Sequence, residues 1–185
     1  MRAFLAGCIE PAAARQLHAA LQGLRQLYRG DAYRWVDAAN YHVTLRFFGE
    51  LDAADVDRVL HCVPAVVVRH ANIVCTTGAL QALPAARRPS VIALSLESAG
   101  CLESLAADMN AALAADFGAP DKPFKAHLTV MRCRRGARFL AAPAPVEWPL
   151  LISSVALFES ATSGAGPRYT PLATFRFGAD QVTPS

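Results

Sequence analysis

The chain has 185 residues, enough for one domain or for two small lobes sharing an interface. Apolar residues make up 54% and charged residues 18%, with a net charge of +3 at pH 7. This composition excludes a largely disordered chain and a strongly basic nucleic-acid coat. Order is expected everywhere except over the last few residues. Of the 18 basic residues 16 are arginine, whose planar fork matches phosphate oxygens better than the point charge of lysine. Genomic base composition, which also favours the abundant alanine, accounts for most of that bias. The five cysteines, Cys8, Cys62, Cys75, Cys101 and Cys133, are odd in number and form no CxxC pair. A disulfide framework and a zinc site are therefore not expected, and a reducing cytoplasm is. The opening apolar run is closed by Glu10-Pro11, too early for a secretory signal. Elsewhere no run of about 18 apolar residues escapes a charge or a proline, so no membrane span is predicted.

In chain order, residues 2–9 read as a strand. Pro11 suits the first turn of a helix that carries Leu17, Leu21, Leu24 and Tyr28 on one stripe. Gly30-Asp31 marks a turn, and Tyr33 to Val36 a short strand. Tyr41 to Phe48 is rich in β-formers and is stopped by Gly49. Asp52 is placed to cap a second helix with Val56, Val59, Leu60 and Val63 on its apolar side. Val66 to Thr76 reads as a strand, and residues 81–90, with Pro84 and Pro89 around Arg87-Arg88, as a loop. Ser90 to Leu96 is a strand. Leu102, Leu105, Met109 and Leu113 form a helical stripe. Pro120 to Pro123 breaks the chain before a strand from Phe124 to Arg132. Pro143, Pro145 and Pro149 mark a second loop. Two final β-rich stretches, Ile152 to Phe158 and Tyr169 to Phe177, flank Gly164-Ala165-Gly166-Pro167. The mixture lacks the regular alternation of a doubly wound sheet and has no glycine-rich phosphate loop after a strand. It predicts an α+β fold with mainly antiparallel sheets and helices on the outside.

One motif occurs twice. His42-Val43-Thr44-Leu45 is echoed by His127-Leu128-Thr129-Val130, each on a predicted strand, and each preceded by a helix of similar length. The echo predicts a single bilobal domain over 1–185, two pseudo-two-fold related sheets facing a central cleft, with one His-x-Thr-x motif from each lobe. Residues two apart on a strand share a face. His42 with Thr44, and His127 with Thr129, then face the cleft, while Val43, Leu45, Leu128 and Val130 enter the core. Two imidazoles supply an acid and a base near neutral pH, and two hydroxyls supply hydrogen bonds to phosphate oxygens. Such a site handles a phosphodiester without a metal. No carboxylate or cysteine stands at ligand spacing from either histidine.

Other residues leave two readings open. Arg132, near the end of the second motif strand, is a phosphate clamp or a solvated strand-end charge. Arg46 shares the parity of His42 and Thr44, so it lines the cleft or stands as an edge-strand charge. Tyr41, Phe48 and Tyr169 are base-stacking candidates or core aromatics. Glu50 and Glu159 follow strands and read as structural. His18, His61 and His70 lack the pattern and read as helix-surface or strand-end residues.

With these motifs in place, the sequence resembles the two-histidine phosphoesterases, and among them the bacterial RNA 2′,3′-cyclic phosphodiesterases once called 2′-5′ RNA ligases. The resemblance runs through Arg2-Ala3-Phe4-Leu5-Ala6, Arg34-Trp35-Val36 and Tyr41 to Glu50. It continues through Arg88-Pro89, Pro123 to Arg132, Leu157 to Ser160 and Gly166 to Leu172. It implies a bilobal α+β fold with a V-shaped cleft. It implies opening of a 2′,3′-cyclic phosphate at an RNA 3′ end to a 2′-phosphate, with weak reverse ligation. It makes His42 the proton donor, His127 the base, Thr44 and Thr129 the phosphate holders, and Arg132 a substrate-binding residue beside the candidates Arg46 and Tyr169. It implies a cytoplasmic monomer with no cofactor, no metal, no membrane and no obligate protein partner, acting on RNA ends or nucleotides that carry a cyclic phosphate. Met131, and the Arg- and Pro-rich stretch from Arg132 to Pro149, depart from the family pattern. The competing expectations are a two-histidine enzyme for a small cyclic nucleotide and a non-catalytic module that binds RNA ends.

Overall fold

The computed structural model describes residues 1–141, 144–163 and 166–178. The Gly164-Ala165 part of the expected turn, Pro143 of the second loop and the chain's last residues lie outside them. The strands are β1 (Arg2–Ile9), β2 (Tyr33–Trp35), β3 (His42–Glu50), β4 (Ile73–Leu83), β5 (Val91–Glu97), β6 (His127–Cys133), β7 (Pro149–Ser163) and β8 (Gly166–Arg176). The helices are α1 (Pro11–Ala20), α2 (Ala53–Val67) and α3 (Cys101–Phe117). Short 3-10 segments cover Leu21–Gln26 and Ala38–Asn40.

The fold is α+β and antiparallel, as expected. The two expected sheets, however, are hydrogen-bonded into one, in the order β2-β6-β5-β4-β7-β1-β3, with β8 on β7. The join is β7. Its first part pairs with β4 and its later part with β1, and Ile152 is opposite both Ile73 and Ile9. Strands β3 and β6 lie at far points of that order, yet their backbones approach within 8 Å. The sheet therefore curls on itself and brings the two motif strands together.

The helices follow from local sequence. Proline occupies the first turn of α1. A capping box starts α2: the Asp55 N–H donates to Asp52 at 2.8 Å and the Asp52 N–H donates back to Asp55 at 3.1 Å. The stripe Leu102, Leu105, Met109 and Leu113 of α3 is fully buried. Each such side chain contributes about 1.5–3 kcal/mol of hydrophobic stabilisation.

Three stretches differ from the sequence reading: α1 ends at Ala20, so Leu24 lies in a 3-10 segment and Tyr28 beyond it, β4 runs on to Leu83 where a loop is expected, and Val66 begins no strand. Val66 and Val67 belong to α2, and β4 begins only at Ile73. Val59, Val63, Val66 and Val67 are all buried at helical spacing. That stripe overrides the β propensity of the valines and the helix-breaking tendency of Pro64.

Candidate active site

The two motif strands carry the same irregularity. In β3, Ala6 of β1 faces Thr44 while Leu5 faces Arg46, so Leu45 is an extra residue. In β6, Ala93 of β5 faces Thr129 while Ile92 faces Met131, so Val130 is extra. A bulge of this kind shifts the alternation of side chains by one residue. His and Thr stay on the cleft face in both copies. The residue four after each histidine, Arg46 or Met131, turns into the core, with exposures of 4% and 0%. The residue five after each histidine, Phe47 or Arg132, returns to the cleft face and is exposed.

This corrects the expectation for Arg46. Its guanidinium donates to Asn110 Oδ1 at 2.9 Å, to the Phe117 carbonyl at 3.0 Å and to the Gly118 carbonyl at 2.9 Å. It also lies 5.5 Å from the centre of the Phe48 ring. Arg46 thus caps the carbonyl end of α3, where a cation is favoured by the helix dipole. It does not reach the cleft, because the bulge reverses its parity.

The histidines are held alike. His42 Nδ1 lies 2.7 Å from the Asn40 carbonyl, and His127 Nδ1 lies 2.7 Å from the Lys125 carbonyl. A carbonyl only accepts, so each Nδ1 carries the proton and donates it. That fixes the tautomer and leaves each Nε2 for the cleft. Thr44 and Thr129 are half-buried on the same face. Among the hydrogen bonds of the described residues, none engages either threonine hydroxyl.

The surroundings of the two imidazoles differ. His42 packs on Phe4, with ring centres 5.0 Å apart, and meets Tyr169 edge-on at 5.2 Å. Phe158 stacks on the same Phe4 at 5.4 Å, completing an apolar floor. Burial against this floor pulls the His42 pKa from 6.5 down to about 4. The bond to the Asn40 carbonyl opposes that fall, and the charges of Arg132 and His127 add to it. The backbones of β3 and β6 approach within 8 Å, so the two motifs lie side by side.

Arg132 is on the cleft face and donates to the Tyr169 hydroxyl at 2.6 Å. Tyr169 therefore joins β8 to β6 across the cleft, its ring edge engaged by His42 and its oxygen by Arg132. Tyr41 and Phe48 are packed inward. Tyr41 is 5% exposed with its hydroxyl 3.1 Å from His18 Nδ1, and Phe48 lies against Phe117 at 5.1 Å. Glu50 meets the N-terminal amine at 3.2 Å. His70 bonds Asp108 at 2.9 Å and His61 is exposed on α2. Sequence reasoning missed the Phe4 and Phe158 floor and the exposed Phe47. The signal for Phe47 was present: aligning the two motif copies places it opposite Arg132.

Two carbonyl-anchored His-x-Thr strands thus lie close together in one curled antiparallel sheet. Residues 9–93 match the family model described as LigT like Phosphoesterase. The structure superposes on TT0787 of Thermus thermophilus with a TM-score of 0.81 at 25% identity, covering 97% of this chain and 100% of that one. Escherichia coli LigT in its apo form gives a TM-score of 0.76 at 23% identity, covering 95% of this chain and 96% of that one. The same E. coli protein complexed with 3′-AMP gives 0.76 at 22% identity, with 95% and 97% covered. The sequence has no match among curated proteins. The chain thus resembles the LigT-like phosphoesterases in sequence over residues 9–93, and its fold resembles that of TT0787 over nearly all of its length.

Proposed function

We propose that this chain is a metal-independent phosphodiesterase that opens a 2′,3′-cyclic phosphate at an RNA 3′ end and leaves a 2′-phosphate. The observation that carries the proposal is the pair of imidazoles anchored through Nδ1 to carbonyls two residues upstream, each with a free Nε2 and a threonine on one cleft face. His127 Nε2 takes a proton from water as its oxygen attacks phosphorus. The P–O3′ bond breaks, and His42, protonated at Nε2 once the phosphate is bound, gives that proton to the departing 3′ oxygen. Thr44, Thr129 and Arg132 donate to the phosphate oxygens on which charge develops. Phe47, 69% exposed, borders a hollow of about 260 Å³ and offers an apolar face to a base. With no energy source in the site, abundant water makes hydrolysis outrun the reverse ligation.

The test is hydrolysis of an RNA oligonucleotide ending in a 2′,3′-cyclic phosphate, with EDTA present, by wild type, His42→Ala and His127→Ala. Each substitution should lower turnover on the order of 100- to 10,000-fold. Loss of activity with EDTA would sink metal independence. Turnover of a mononucleotide alone would move the substrate class to small cyclic nucleotides. Binding of the RNA end without turnover would make the chain a non-catalytic module.

A further inference from the structure

Arg34 and Arg132 stand directly opposite each other in the β2–β6 ladder. Directly opposed residues of an antiparallel pair share a sheet face, with Cβ atoms about 5 Å apart, and like charges so placed repel. Both side chains are exposed. Among the described residues, the ion pairs within 4.0 Å involve neither of them. Two arginine side chains thus leave the same sheet face from opposed positions, with no carboxylate within 4.0 Å of either among the described residues.

They are not equivalent. Arg132 is tethered to the Tyr169 hydroxyl at 2.6 Å, and its charge is felt by His42. Arg34 sits one strand further out, about 4.8 Å in the hydrogen-bonding direction, on the terminal strand of the sheet. Both line a shallow hollow of about 50 Å³ with Asn40, whose carbonyl anchors His42, and with Asp37 and Tyr169. The hollow therefore opens from the reacting centre outward.

We propose that Arg34 seats a second phosphate, the phosphodiester joining the terminal nucleotide to its upstream neighbour. Arg132 keeps the reacting phosphate beside His42. The free arm of Arg34 reaches the next phosphate along the strand, and the anion brought between the two guanidinium groups offsets their repulsion. This inference rests on the proposed cyclic-phosphate activity and sharpens it: the substrate is an oligonucleotide end rather than a mononucleotide.

The test has two arms, each on the full chain. In the first, kcat/KM is measured for a dinucleotide ending in a 2′,3′-cyclic phosphate and for the 2′,3′-cyclic mononucleotide, with wild type, Arg34→Gln and Arg34→Lys. Arg34→Gln should lose about tenfold more on the dinucleotide than on the mononucleotide, and Arg34→Lys should recover part of that loss. The salt dependence of the dinucleotide reaction should flatten by about 0.7 in log–log slope. Equal losses on both substrates, or no loss on the dinucleotide, would overturn the proposal. In the second arm, calorimetry compares adenosine 3′,5′-bisphosphate with adenosine 3′-monophosphate. Wild type should bind the bisphosphate about tenfold tighter, and Arg34→Gln should erase the difference. If wild type hydrolyses neither cyclic substrate, the activity reading fails, and this arm alone decides the second site. No advantage for the bisphosphate in wild type would remove it.

Discussion

Binding of a phosphate ligand should protonate His42. In the empty cleft its pKa is pulled from 6.5 down to about 4, by burial first and then by the charges of Arg132 and His127. Bringing a proton onto it at its ordinary affinity therefore costs about 3 kcal/mol. A phosphate monoanion about 4 Å away contributes about 4 kcal/mol at an effective dielectric of about 20. That is worth about three pKa units, enough to bring His42 from about 4 to about 7. On the proposed mechanism, the acid that protonates the departing 3′ oxygen would thus be assembled by the substrate itself. The assay is a pH titration of the ring nitrogens by NMR in the full chain, with and without adenosine 2′-monophosphate, His42 being assigned with His42→Gln. The kinetic counterpart is a descending limb of kcat at higher pH than that of kcat/KM, since the first reports the complex and the second the free enzyme. An empty-cleft His42 titrating near 6.5 would refute the burial argument. A His42 unmoved by the ligand would refute its role as acid and exchange the roles of the two histidines.

The same depressed pKa makes stability depend on pH. Between about 4 and 6.5 the unfolded chain binds a proton that folded His42 does not, so stability rises with pH through that window and is lost as pH falls through it. Urea denaturation at pH 4.5 and 7.5 should differ by up to about 3 kcal/mol from this residue, and His42→Gln should remove that share. Arg46→Met, which places in β3 the residue found at the equivalent point of β6, leaves the Asn110, Phe117 and Gly118 oxygens without their donor. It should lower stability in urea by about 2–4 kcal/mol, with little change in activity per folded molecule. Tyr169→Phe keeps the ring against His42 and Phe4 but frees Arg132. Its kcat/KM should fall about tenfold with the fold intact, the loss expected of one hydrogen bond to a charged group. An unchanged kcat/KM would mean that Arg132 needs no tether.

The sequence exposed those parts of the molecule whose signals are local. Pro11, Asp52 and the stripe from Leu102 to Leu113 mark helices through caps and spacing, and all three helices form where they point. The doubled His-x-Thr pattern reached the site because alternation on a strand is itself local. What failed depended on register, which no single strand encodes. The extra residues Leu45 and Val130 exist only as mismatches with β1 and β5. They send Arg46 inward and bring Arg132 to the cleft, the reverse of what unbroken alternation gives. The joining of two sheets into one depends in the same way on how far β7 extends past Ile152. The misplaced strand at Val66 was a contest between residue propensity and helical spacing, and burial of the whole stripe decided it.

Comparing the copies position by position shows how a repeated scaffold could serve the asymmetric reaction proposed above. The backbone devices are shared: the same carbonyl anchor, the same threonine, the same bulge. The side chains that set charge and solvation are not. Beneath His42 lie Phe4 and Phe158, whereas the β5 residue at the counterpart of Phe4, opposite Arg132, is Val91. Five residues past the histidine stands an apolar Phe47 in one copy and a cation, Arg132, in the other. An imidazole on an aromatic floor beside a cation sheds its proton until an anion arrives, whereas His127 has no aromatic ring packed on it among the described residues. On the proposed mechanism, proton donation at one end of the scissile bond and water activation at the other would then follow from which histidine has the aromatic floor. Exchanging only the two histidine strands would leave that floor where it is, so the acid should stay with the lobe of Phe4 and Phe158.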